Sequence, residues 1–410
     1  MNAEERAEPR EPGSSGRRPS LLLAANLIVR VVLLAAVLVW ALGRITPASD
    51  ALRFREIATS RGAPYRDYAV EYAPVELVFA RVIGNESVRR TTIRLVVVAF
   101  VLDLAAYAIV RAGWGRRAGV AYLTLGLPLL GLRYQSLWYL PVLLAAAAGA
   151  LARRSRHRSG GTVLAAATLA KVWPVLLVPG LARKGGRRLL GWFGGTLAVG
   201  LLGWFAVGGA DGFGQVLTFR GATGWEIESS IGTVLWTLGD QPRLEQGSVR
   251  VGTATLPVKA GLAVLVLVVV VLVWRRAAAW PGNPLGAPAL ACLGALLACS
   301  PLFSLQYAGW LTPWAAVAID ERESRPSVEM SAAIVLLTAA VHLVLFPEGG
   351  VVVSGPRGVL GQGLLLGRNA VCVALPLWFL ASSRSSLPSP ASAAAIAARP
   401  GRSTGRPRSS

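Results

Sequence analysis

Apolar runs of close to twenty residues recur along this chain, at about 21–42, 93–110, 117–133, 135–152, 161–182, 189–207, 258–274, 286–303, 306–319, 328–346 and 364–382. Twenty helical residues span the ~30 Å hydrocarbon core of a bilayer, and inside hydrocarbon each backbone N–H and C=O must find its partner within the protein. A chain patterned in this way folds as a bundle of membrane helices joined by polar loops. The pattern predicts an all-α polytopic membrane protein with roughly 10–12 transmembrane helices in one domain over 21–382. Only 15% of the residues are charged and 54% are hydrophobic, against about 25% charged in soluble domains.

The formal net charge is +21, and all but three of the 42 basic residues are arginine. That bias, with abundant Ala, Gly and Val, is the signature of a GC-rich bacterial genome such as an actinobacterial one. A strongly basic chain raises the question of nucleic acid, but here the arginines cluster at the ends of apolar runs. They follow the positive-inside pattern and suit an anionic lipid surface, so the partner expected is the bilayer and not nucleic acid. Cys292, Cys299 and Cys372 all lie in apolar runs, and the two histidines, His157 and His342, are far apart. Neither a disulfide framework nor a metal cluster is expected, and no cofactor is implied.

Residues 1–20 read as a polar cytoplasmic segment and 383–410, rich in Ser, Pro and Arg, as a disordered basic tail. The run at 21–42 is too long for a signal-peptide core and reads as an uncleaved anchor, with Arg30 snorkelling or facing the bundle. Placing the N-terminus in the cytoplasm puts the clusters Arg111/Arg116/Arg117, Arg153/Arg154/Arg156/Arg158, Arg275/Arg276 and the C-terminal arginines inside. Arg183 to Arg188 join them only if 161–182 enters the membrane and returns as a hairpin of two short helices, with Lys171 near its outer tip and Pro174 beside it; the alternative is a single straight helix with a buried lysine. The main extracytoplasmic loops are then 43–91 and 208–257, with further outer segments around 300–306 and at 347–363. The first loop carries Arg44, Arg53, Arg55, Arg61 and Arg66 against the rule, partly offset by Asp50, Glu56, Asp67 and Glu71. The stretch 75–84 is apolar enough to dip into the membrane.

Three outer segments carry polar chemistry. Ser49-Asp50 opens the first loop, where a carboxylate against a low-dielectric wall can serve as a general base. In the second, Arg220 precedes Trp225, Glu228 and Ser229. Arginine holds phosphate through a bidentate fork, Trp stacks on a sugar face, and Glu and Ser fix hydroxyls. The third is Ser300-Pro301-Leu302-Phe303-Ser304-Leu305-Gln306-Tyr307. Each has a plain structural alternative: an interfacial carboxylate, an amphipathic surface helix, and a Pro-kinked turn with belt aromatics.

The order Ser49-Asp50, Gly62-Ala63-Pro64-Tyr65-Arg66-Asp67-Tyr68, then Glu71-Tyr72-Ala73-Pro74 resembles the first-loop pattern of glycosyltransferase family 87. These are membrane mannosyltransferases of the C-type glycosyltransferase fold, with extracytoplasmic loop helices. Lys171-Val172-Trp173-Pro174 resembles the family's Lys-Pro break, Arg220 with Glu228-Ser229 its Arg-Gly…Glu-Ser loop, and Ser300-Pro301 its Ser-Pro turn. The resemblance implies a polyprenyl-phosphate sugar donor, a glycolipid or glycan acceptor, and inverting transfer of a sugar, mannose by family, on the outer face of the cytoplasmic membrane. It implies Asp50 as general base and Lys171 or Arg220 at the phosphate. Tyr65, Glu71, Tyr72, Trp225, Glu228, Ser229, Gln306 and Tyr307 would line the substrate cavity. Two departures stand out. The family's Pro-Pro is Ala73-Pro74 here, and its His after the Ser-Pro turn is replaced in Ser304-Leu305-Gln306-Tyr307, leaving His342 as a substitute. The rival functions are a flippase or transporter of lipid-linked sugars, for which no internal repeat is found, and an inactive scaffold.

Overall fold

The computed structural model describes residues 18–43, 49–130, 136, 139–347 and 351–382. The segments 1–17 and 383–410, and Arg44 in the first loop, lie outside the described residues.

The protein is helical, with one small sheet. Among the described residues six helices are long and apolar enough to cross a membrane, within 21–39, 88–114, 185–217, 256–277, 322–345 and 355–382. The chain is a multi-pass membrane protein. α1 is Arg18–Gly43, α2 Ser49–Thr59, α3 Pro74–Ile83, α4 Val88–Trp114, α5 Arg116–Gly126, α6 Tyr139–Arg153 and α7 His157–Ala170. α8 is Val178–Leu217, α9 Ser230–Thr237, α10 Leu256–Ala277, α11 Ala287–Cys299, α12 Thr312–Val317, α13 Arg325–Leu345 and α14 Gly355–Ser382. Several apolar runs counted as crossings are built from shorter pieces. The run 117–133 includes α5 and a 3-10 turn at Leu127–Leu129, and 306–319 is a 3-10 segment, Leu305–Leu311, leading into the six-residue α12. Pro128 and Pro313, each lacking a backbone N–H, sit where these pieces change pitch.

The run 161–182 folds as a hairpin. α7 ends at Lys171, whose backbone is extended (φ −148°, ψ 142°), and a 3-10 turn, Trp173–Leu177, starts the return. The returning helix comes back to the start of α7: a Cβ on Gly185 would lie 3.1 Å from His157 Nδ1. Gly186, at φ 53°, then breaks α8, a conformation open to glycine at little cost. Beyond it the chain runs alongside α7 in the same direction. Gly161 faces the backbone of Leu189 and Phe193, Thr196 hydrogen-bonds Thr162, and Leu169 lies against Gly200. A Cβ on Gly161 would sit 2.5 Å from the Leu189 carbonyl oxygen. That close approach is how membrane helices, denied a hydrophobic driving force, gain packing energy.

The hairpin gives the bundle two distinguishable ends. Arg183 donates to the carbonyls of Ala277 and Ala278, and Arg154 to that of Ala112, so the basic clusters gather at one end. Lys171 lies at the other, one helix length away, ~20 Å at 1.5 Å per residue. α10 spans the same interval, with Lys259 donating to Ala222 at the Lys171 end and Ala277 meeting Arg183 at the basic end.

At the Lys171 end α2 and α3 lie over the bundle. α3 buries Glu76, Leu77, Ala80 and Ile83 while Val78 and Val82 face outward, consistent with an apolar face turned to lipid. Two of the exceptional arginines of the first loop are occupied within the fold: Arg53 pairs with Glu56 and Glu71, and Arg66 donates to the Ala206 carbonyl. Arg81, on α3, donates to the Tyr68 hydroxyl. Beyond α8 a three-stranded antiparallel sheet forms in the order β1 (Trp225–Glu226), β3 (Ser248–Val251), β2 (Arg243–Glu245). Gln246-Gly247, both at positive φ, make the tight turn between β2 and β3.

Candidate functional site

α2 begins at Ser49, so Asp50 stands in its first turn, where the partial positive charge of the helix N-terminus favours an anion. The carboxylate accepts a hydrogen bond from Ser136 and is surrounded electrostatically by Glu76, Lys171 and Glu71. Removal from water pushes its pKa up, the Ser136 hydrogen bond and Lys171 pull it back, and Glu76 pushes it up again; it settles at about 6.

The neighbouring carboxylates are locked in ion pairs. Glu76, buried at 3% exposure, meets Lys171 Nζ at 2.9 Å. Burial raises its pKa, and Lys171 opposes that rise. Glu71 Oε2 accepts from Arg53 Nε at 3.0 Å and from Nη2 at 2.9 Å, and Arg220 Nε lies 3.5 Å from the same oxygen. Asp50 differs. Among the described residues it has a hydroxyl partner and no cation of its own, so it is the acid of the three whose charge is not already committed. Tyr72 closes this side, with Lys171 Nζ 5.6 Å from its ring centroid.

The other two outer segments meet the first at Tyr307, which senses Lys171, Glu226, Glu76 and Asp50 together. Its ring stacks on Trp310 at 4.2 Å, and Trp310 stacks on Trp173 of the hairpin turn. The Ser300-Pro301 turn docks on the sheet, where Glu226 N–H donates to the Pro301 carbonyl and Ser304 Oγ to Glu226 Oε1 at 3.4 Å. Strand register places Glu226 opposite Arg250. Both are buried, as are Glu228, Arg368 and Asn369. Burial raises the pKa of Glu226, against the pull of Arg250; Glu228 is raised well above its ordinary value by burial and by the adjacent Glu226 charge.

Several of these buried polar atoms have no hydrogen-bond partner among the described residues: Glu226 Oε2, Glu228 Oε1, Arg250 Nε and Nη2, Arg220 Nε and Arg368 Nη1. The Arg220 and Arg250 guanidinium carbons lie 5.5 and 5.4 Å from the Phe219 ring centroid. Phe219 and Arg220 hold left-handed backbone, φ 51° and 59°, a strained arrangement of the kind that collects at functional sites.

No protein-family model matches the chain, and no curated protein matches it in sequence.

Of the residues singled out in the sequence, the fold brings Asp50, Lys171, Glu71, Tyr72, Arg220 and Tyr307 into one cluster, with Glu228 in the adjoining buried pair. Gln306 sits on the same 3-10 segment as Tyr307, partly exposed. Three others have structural duties. Tyr65 Oη donates to the Tyr72 carbonyl, the Trp225 indole donates to the Thr253 carbonyl, and Ser229 caps α9 through the Gly232 N–H. His342 stacks on Phe346 with centroids 6.0 Å apart and makes no hydrogen bond or ion pair with the cluster among the described residues.

The fold also recruits groups that motif reading passed over: Arg53, Glu76, Ser136, Glu226, Arg250, Arg368 and Asn369. Arg53 lies one turn after Asp50 on α2. Arg368-Asn369 interrupts an apolar run, and an ionisable residue there marks function by default. Ser136 carries no signal of this kind.

Proposed function

We propose that the protein is a glycosyltransferase of the C-type fold, similar to family 87. It would take a sugar from a polyprenyl-phosphate donor and pass it to a glycolipid or glycan acceptor at the Lys171 end of the bundle. That end would face outward from the cytoplasmic membrane, with the basic clusters and both termini on the cytoplasmic side. The observation that carries the reading is the state of Asp50: a partly buried carboxylate with a raised pKa, held by Ser136 but not by a cation of its own.

The chemistry is an inverting displacement. Asp50 takes the proton from the acceptor hydroxyl as that oxygen attacks the anomeric carbon. The bond from that carbon to the phosphate oxygen breaks, and polyprenyl phosphate leaves with the electron pair. A pKa of about 6 leaves Asp50 mostly ionised at neutral pH while making it a stronger base than an ordinary Asp. Lys171 and Arg220 supply positive potential for the developing phosphate charge. Each already has a carboxylate partner; Arg250, which faces Glu226 and has two nitrogens unpartnered among the described residues, is the third cation of the site. The donor sugar is taken to be mannose, as the resemblance implies.

The test is transfer of radiolabel from polyprenyl-phosphate-mannose to a panel of membrane glycolipids by the purified, reconstituted protein, beside Asp50→Asn. Transfer by wild type that disappears in the variant, with folded protein retained, supports the reading. Equal transfer by both removes Asp50 from the mechanism. The hairpin break at Lys171 also suits a transport site. No transfer by wild type, together with movement of a lipid-linked sugar across vesicles, would favour the flippase instead.

A further inference from the structure

A groove of about 670 Å³ opens at the basic end of the bundle, between Arg158 on α7 and Arg187, Arg188, Gly191, Trp192 and Gly195 on α8. It falls within the ~300–1,000 Å³ range of small-molecule sites. Lys171 lies ~20 Å away along α7, so the groove is separate from the carboxylate cluster.

Its mouth is built for an anion. Arg158, Arg187 and Arg188 are exposed, and none forms an ion pair among the described residues. The Arg158 guanidinium carbon lies 5.9 Å from the Trp192 ring centroid, which holds it over the groove. α7 starts at His157, and α8 resumes after the break at Gly186; the contact between Gly185 and His157 places these two helix starts side by side. Two helix N-termini and three uncompensated guanidiniums thus meet at one point.

Its floor is built for an alkyl chain. A Cβ on Gly191 or Gly195 would meet nothing within 4 Å, so these glycines do not serve helix packing within the chain. They lie in a candidate span that is 11% buried, beside the exposed Leu190 and Val199. The groove therefore runs from a charged rim into an apolar face turned to lipid.

We infer that this groove is a binding site for an anionic phospholipid, its phosphate held by Arg158, Arg187 and Arg188 and one acyl chain laid over Gly191 and Gly195 beside Trp192. Charge decides the occupant. A zwitterionic lipid brings no net charge to balance the three arginines, and a second copy docked by the same face would bring three more. Anionic lipid in the leaflet at the basic end supplies the missing negative charge.

The experiment is native mass spectrometry of the full chain in detergent, titrated with phosphatidylglycerol and with phosphatidylcholine of identical acyl chains. Wild type should retain phosphatidylglycerol at least roughly tenfold more tightly. The triple variant R158Q/R187Q/R188Q should lose that preference. Gly195→Leu, which fills the floor without touching the rim, should weaken phosphatidylglycerol several-fold while leaving the thermal midpoint in place. Equal retention of the two lipids by wild type, or a preference that survives the triple variant, overturns the site. So does a wild-type dimer that holds no lipid and dissociates in Gly195→Leu, which would make the occupant a second copy.

Discussion

Two buried charged clusters sit in this bundle, and they are finished to different degrees. The first joins α1 to α4. Arg30 and Asp103 are both fully buried and meet at 3.0 Å. Arg30 also donates to Asn26 Oδ1 and to the Leu123 carbonyl, and Asp103 accepts from Tyr122 Oη at 2.9 Å. Nearly every strong donor and acceptor there is used. Among the described residues, the second cluster, at the Lys171 end, leaves Glu226, Glu228, Arg250 and Arg368 with buried polar atoms unpartnered and gives Asp50 no ion pair. Burying an unpaired polar atom costs on the order of 1–3 kcal/mol. A substrate that brought its own donors and acceptors would offset that cost in the second cluster, whereas the first has none left to offset. The first cluster is a clasp; the second, on the function proposed above, is the substrate site.

That contrast is open to breakage from either side. The largest effect is expected at Asp50. Asp50→Asn should lower the transfer rate by roughly 10²–10⁴-fold, the range of a general base, while the protein stays folded. A variant that loses transfer and also unfolds would move Asp50 to the structural side.

At the clasp the expectation reverses. Asp103→Asn strands a fully buried arginine, and removing one partner of such a pair costs about 3–5 kcal/mol. The thermal midpoint should fall sharply, while turnover per folded molecule stays at the wild-type value. Normal stability in Asp103→Asn would show that Asn26, Leu123 and Tyr122 suffice without the ion pair.

The third expectation concerns pH. The Asp50 pKa rises from 3.8 to about 6 in the fold, so the folded protein holds this proton more tightly than the unfolded chain does. Raising the pH from about 4 to about 6 removes the proton at the expense of the folded state, and above that window the penalty is fully present. Asp50→Asn escapes it. The variant should be more stable than wild type at pH 7.5, by about 1–3 kcal/mol, and equal to it below pH 4, as read by thermal melts in detergent. Transfer by wild type should rise with pH through a limb near pH 6.

Much of this was legible in the sequence because its causes are local or periodic. Apolar length marks membrane helices whatever they pack against. The hairpin at Lys171 followed from asking which side Arg183 to Arg188 must occupy, and Pro174 marked the break. Arg30 was expected to snorkel or to face the bundle, and it faces the bundle. What escaped depends on distant pairing. Ser136 reaches Asp50 from the segment between α5 and α6, and Arg250 meets Glu226 only through strand register. Tyr65 shows the opposite failure: it belongs to the Gly-Ala-Pro-Tyr motif, but a left-handed backbone at φ 69° sends its hydroxyl to the Tyr72 carbonyl. Nor does a run say how its passage is built: 306–319 goes from Tyr307 at the Lys171 end to Asp320 beside Arg117 as a 3-10 segment and a six-residue helix.

The smallest expected effect offers a fine test of the contrast, because it asks whether Asp50 is tuned by its one hydroxyl partner. Ser136 donates to the carboxylate and thereby lowers its pKa against the pull of burial. A hydrogen bond of this kind contributes about 0.5–1.5 kcal/mol, and one pKa unit is about 1.4 kcal/mol. Ser136→Ala should therefore move the acid limb of the transfer profile upward by about half a unit to one unit, with little loss on the alkaline plateau. Ser136→Thr, which keeps the hydroxyl, should leave the limb near its wild-type position. A limb that stays fixed in both variants would mean that burial and the neighbouring charges set the Asp50 proton affinity by themselves. A downward shift in Ser136→Ala would mean that water reaches the carboxylate once the side chain is trimmed, and that the low-dielectric wall, more than the hydrogen bond, makes this aspartate a base.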